Sequence, residues 1–149
     1  MAHAKMYDDG DLHFQRVRAL ALTLPAADMK VSHGRPAFFT QKVFAYYGAS
    51  VKDTGSAQER SGSTAAGDGY VQHPQVVVIR PEEADVSFLE QDPRVFRPAY
   101  LGPAGWFGID LDGLDPARDE GWDEIAEWLE TSYRLTAAVK LVRELPRRE

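Results

Sequence analysis

Leu12, Val17, Leu20, Ala21 and Leu24 recur at intervals of one to five residues, close to the period at which side chains return to one face of a helix. The spacing predicts a helix over 11–24, with Asp11 as its cap and Pro25 as its stop. The pattern then shortens. Aromatic and β-branched residues alternate with polar ones, predicting strands at 29–32, 37–40 and 42–47. Gly34 and Pro36 separate the first two, and a tight turn around Gln41 joins the second to the third as a β-hairpin. Residues 75–80, with Val76, Val77, Val78 and Ile79 in succession, form a further strand. Over 81–90 a helix is expected, with Pro81 first and Glu82, Glu83 and Asp85 in its opening turn, where the helix dipole favours anions. Strands at 96–101 and 106–111 follow, joined through Gly102 and Gly105. Residues 112–116 form a turn. The stripe Ile125, Leu129, Tyr133, Ala137 and Leu141 marks a helix over 121–145, in one or two segments.

Residues 49–73 follow neither period. Gly, Ser, Ala and Thr dominate them, with Gly55, Gly62, Gly67 and Gly69 as punctuation. They read as a flexible insertion loop joining two adjacent strands. The order is helix, three strands, loop, strand, helix, two strands, helix. Short links between successive strands make an antiparallel sheet, and amphipathic helices must bury one face on it. The fold class is α+β, a two-layer sandwich with helices on one face, and residues 1–149 form a single domain.

Composition narrows the chemistry. Hydrophobic residues make up 44% of the 149 and cysteine is absent, so disulfides, thiolate metal sites and cysteine nucleophiles are excluded. No apolar run approaches the roughly 20 residues of a membrane helix, and the amino terminus lacks the apolar core of a signal peptide. A cytoplasmic monomer without membrane association is expected.

The formal net charge is -6, yet residues 29–52 contain Lys30, Arg35, Lys42 and Lys52 and no acid. Residues 93–109 carry Arg94 and Arg97, and 131–143 carry Arg134, Lys140 and Arg143, again without an acid. His33, Phe38, Phe39, Phe44, Tyr46 and Tyr47 are interleaved with the first run. Cations on hairpins can contact phosphates, and exposed aromatics can stack on bases. The competing reading is architectural, since aromatics that alternate along strands build a core. The last run also has a local explanation. Six acids in 119–130 followed by five bases in 131–148 complement a helix dipole.

Other motifs carry less. Asp110, Asp112 and Asp115 lack the Gly and Glu that a calcium loop needs at its sixth and twelfth positions, and read as a strand-ending turn. The four histidines have no ligand spacing, so no metal site is expected. Gly102, Gly105 and Gly108 precede no Gly-Lys-Ser/Thr, and there is no Gly-x-Ser-x-Gly elbow. His33 beside Arg35 could act as a base, although a histidine in a strand turn is more often structural. Neither cofactor nor catalytic residues are indicated.

Four ordered segments carry a resemblance: residues 17–25, 32–45, 100–111 and 130–137, the second reading Ser32-His-Gly-Arg-Pro-Ala-Phe38. Together they resemble the MmcQ/YjbR family of small bacterial proteins. That resemblance implies an α-β(3)-α-β(2)-α sandwich, related in shape to type III secretion chaperones. Family members are predicted DNA-binding proteins with two hairpins as a double wing, a proposal that rests on fold analogy. The matching polar positions are His33, Arg35, Lys42, Ser132, Tyr133 and Arg134. The long 49–73 segment and the acidic total depart from the pattern.

Two non-enzymatic readings follow. In the first, hairpins around Gln41 and Pro103 grip DNA, with Arg35, Lys42 and Arg97 on phosphates and Arg134 in support. In the second, a small anionic ligand or a peptide occupies a pocket between sheet and helices, lined by His33, Phe38, Tyr100, Trp106, Tyr133 and Arg134.

Overall fold

The computed structural model describes residues 5–52, 64–65 and 70–146. Helix α1 (Leu12–Ala21) leads into strands β1 (Asp28–Ser32), β2 (Arg35–Phe39) and β3 (Val43–Lys52). Strand β4 (Thr64–Ala65) precedes β5 (Tyr70–Ile79), helix α2 (Val86–Glu90), β6 (Val95–Phe96) and β7 (Phe107–Asp110). Helices α3 (Trp122–Thr136) and α4 (Val139–Val142) complete the described chain. All pairings are antiparallel, in the order β1-β2-β3-β5-β7-β6, with β4 on β5 alone.

The two-layer α+β sandwich forms as the pattern predicts. Side chains alternate across a strand, so Val77 and Ile79 face one layer while Val76 and Val78 face the other. The first layer joins Phe38, Phe44, Tyr47, Ile109 and Leu111 to Phe14, Val17 and Ala21 of α1 and Trp122, Ile125, Leu129 and Tyr133 of α3. The second joins Ala49, Val76, Val78 and Trp106, with Tyr46, Phe96 and Leu101 against them. Here the cover is the connection between β6 and β7. No helix among the described residues is long and apolar enough to cross a membrane.

Several local expectations are corrected. Leu12 is exposed and Phe14 takes its place in the core, because residues 14, 17 and 21 share the face turned to the sheet. Asp11 does cap α1, accepting from the backbone of His13 and Phe14. The Tyr47 hydroxyl also donates to it, and Gln75 donates from 3.4 Å. That seals the start of α1 onto β3 and β5. The strand expected at 96–101 stops at Phe96, and the chain turns back through Tyr100 (φ +67°), a 3-10 turn at Gly102–Ala104 and Gly105 (φ +99°). The helix expected over 81–90 begins as a 3-10 turn, Glu83–Asp85, before α2. The last helix breaks at Ala137, whose backbone is extended, yet Ala137 and Leu141 still pack on the core.

The largest correction concerns 49–73. Its described ends are strand: 49–52 complete β3 and 70–73 begin β5, paired from Ala49↔His73 to Lys52↔Tyr70. Ladder hydrogen bonds use backbone groups, so small polar side chains do not prevent the pairing. The rest of the expected insertion, 53–63 and 66–69, lies outside the described residues.

Candidate functional site

The site begins with a turn. Ser32 pairs with Arg35 across His33 and Gly34, both at positive φ (+52° and +84°), the two-residue loop that matches strand twist. This makes Arg35 the first residue of β2. Three residues before the core-facing Phe38, it points away from the helices. Its stem crosses Gly48 of β3, where a Cβ would stand 3.4 Å from Arg35 Cδ and 3.7 Å from Nε. Gly48 has φ +86°, and the β3–β5 register slips between Tyr47 and Ala49. A bulge and a missing side chain together make the channel in which the guanidinium lies.

The guanidinium donates to the Gln72 side-chain oxygen. Burial lowers its pKa, and among the described residues no carboxylate lies within ion-pairing distance of it. His73, opposite Ala49, places its ring 5.0 Å from that of Phe96. Burial pushes the imidazole pKa down; Asp110 opposes this, and the Arg35 charge adds to it. Asp110 pairs with Val76 and so shares its face. Phe96 fits there because Gly108 opposite it has no side chain. Nearby, Tyr46 and Trp106 meet edge to face at 5.5 Å, and burial raises the Tyr46 phenol pKa. The Ala99 amide donates to Ser50 O at 2.7 Å, pinning the 97–106 connection across this face.

The four cations assigned to DNA are not brought together. Arg35 lies half-buried at one end of β2, on the face away from the helices. Lys42 is exposed in the turn beyond the other end, and the four steps from Arg35 to Phe39 alone span roughly 13 Å at strand rise. Arg97 donates to Glu90 at 3.1 Å and lies 4.4 Å over the Phe107 ring, on the helix side. Arg134 donates to Glu130 at 3.1 Å and to Pro146 O at 2.7 Å on α3.

The six residues assigned to a pocket are also divided. Phe38 and Tyr133 are wholly buried in the helix-side core, where the Tyr133 hydroxyl donates to Pro25 O at 2.6 Å. Trp106 belongs to the opposite cluster, Tyr100 is 75% exposed on its connection, and His33 occupies the β1–β2 turn. The space between sheet and helices is filled by contacts such as Phe44 on Tyr133, 5.3 Å apart. Gln72 and His73, which the sequence reading missed, lie in the segment taken for loop. Only strand register reveals them. The aspartates at 110 and 115 serve turns, accepting from the backbone of Asp112 and Ala117 at 2.9 Å.

An antiparallel sheet with helices on one layer and a folded-back connection on the other defines an α+β sandwich, with Arg35 and Asp110 on the layer away from the helices. The family model of YjbR matches residues 22–135, and the chain belongs to the YjbR family. That span takes in β1 to β7 and nearly all of α3. No curated protein matches the chain.

Proposed function

We propose that this YjbR-family chain is a non-enzymatic binding protein that recognises the anionic group of a small ligand at Arg35. One observation carries the reading: a half-buried guanidinium held by an amide oxygen, with no carboxylate among the described residues to neutralise it. Desolvating a cation without an ion partner is costly, and an incoming oxyanion would offset that cost through charge-assisted bonds. The hydroxyls of Ser132 and Tyr133, which a catalytic role would leave available, are committed to backbone groups. The protein would act in the cytoplasm as a monomer, without a cofactor.

DNA is the second reading, favoured by Arg35 and Lys42 standing on successive hairpins. Its weakness is the number of available charges. Affinity for duplex rises with the number of phosphates neutralised, whereas Arg97 and Arg134 already serve Glu90 and Glu130. Calorimetric titration with sulfate, beside anisotropy with labelled duplex and single-stranded DNA over a salt series, separates the two. Sulfate binding lost in Arg35→Ala and kept in Lys42→Ala is the expected result. Salt-steep DNA binding that falls in both variants would install the wing reading instead.

A further inference from the structure

The polar residues around Arg35 form more than a single contact. Arg35 approaches from β2, His73 from β5 and Asp110 from β7, all on the face away from the helices. The Arg35 stem lies on Gly48, and a Cβ there would also be 3.6 Å from Pro74 O, the residue after His73. Ala49, next to Gly48, is the register partner of His73. The Arg35 stem and the backbone at 73–74 therefore border the same glycine, and the Arg35 charge is felt at the His73 ring.

We infer that a doubly charged oxyanion, a phosphoryl or sulfuryl group, is held between the Arg35 guanidinium and the His73 imidazole, and that binding draws one proton onto His73. This rests on the reading of Arg35 as the anion contact and adds to it a ligand class and a regulating proton. Among the described residues the charged groups acting on His73 are Asp110 and Arg35; Ala49 on β3 and Phe96 on β6 contribute none. In the free protein burial, and to a lesser degree the Arg35 charge, disfavour the protonated ring, while Asp110 favours it. An anion at Arg35 reverses the local field, so the protonated ring becomes the favoured form and supplies a second donor. Gly48 provides the clearance. Phe96, seated over Gly108, limits where the ring can go.

The test is calorimetric titration of the full chain with sulfate, a probe whose own charge does not change near neutrality. It is run from about pH 5.5 to about pH 8, across the ordinary histidine range, in buffers of different ionisation enthalpy. Affinity should fall as pH rises, by up to about tenfold per unit, with uptake of about one proton per sulfate. His73→Gln should still bind sulfate, with a flat pH profile and no proton uptake. Arg35→Ala should lose binding at every pH while its melting temperature shows it folded. A pH-independent affinity in the native chain, or an undiminished slope in His73→Gln, overturns the proton-linked clamp and leaves the Arg35 reading standing. Absence of sulfate binding by the native chain at any pH removes both.

Discussion

Gly48 and Gly108 act at single positions, and each matters through an atom it lacks. At Gly48 the missing Cβ leaves the channel for Arg35, and its positive φ falls where the single residue 48 faces residues 74–76 of β5 across the register slip. At Gly108 a Cβ would stand 2.6 Å from Phe96 Cζ and 2.9 Å from Cε1. Phe96 is seated between the second apolar cluster and His73, so it has little room to yield. Gly108→Ala is therefore expected to cost about 1–3 kcal/mol by overpacking, read as a lower urea midpoint. An unchanged midpoint would mean that the ring swings clear, and His73 would then lose its neighbour without loss of stability.

Helix α3 is fastened to the sheet by Ser132. Its hydroxyl donates to Phe44 O of β3 and accepts from the Arg80 amide just past β5, at 2.9 Å. The side chain is wholly buried, so water cannot replace either bond. Ser132→Ala would leave two backbone groups unsatisfied and is expected to destabilise by about 1–3 kcal/mol. Hydrogen exchange adds a sharper reading, because the Arg80 amide should lose protection more than its neighbours in β5. A uniform change along β5 would assign the loss to packing of the whole helix.

At the scale of the molecule, ion pairs join distant segments. Arg94, entering β6, donates to Asp92 at 2.8 Å and to Glu124 on α3 at 2.5 Å. Hydrogen bonds from Arg94 hold the Asp92 carboxyl below its ordinary pKa. A depressed carboxylate contributes stability that is complete above its unfolded pKa of about 3.9 and is lost as pH falls through the folded value. Asp92→Asn should therefore be less stable than the native chain near neutrality, with the difference shrinking below about pH 4. Melting temperatures across an acid series check this. A difference that stays constant with pH would assign the loss to packing. The exposure of Arg94 keeps the size of the effect small.

The sequence by itself determined the layers. Val17, Ala21 and Leu24 on one helix and Ile125, Leu129 and Tyr133 on another repeat at helical spacing, while Val76 to Ile79 read as a strand; that Phe14 and not Leu12 completes the first stripe was decided by packing. Burial of apolar surface then leaves few arrangements of such elements. Family membership was legible for the same reason, since the shared segments fall on α1, β1 to β3, β7 and α3, which build the two layers. The candidate site was legible only at Arg35, singled out as a cation in an acid-free run. Gln72, His73 and Asp110 come to it from β5 and β7 through cross-strand register, which is set by backbone hydrogen bonds and the irregularity of β5 opposite Gly48. No spacing along the chain encodes that distance. Tertiary structure also decided that Arg97 and Arg134 have carboxylate partners and that Arg35 has none among the described residues, because desolvation and ion pairing depend on which surfaces meet after folding.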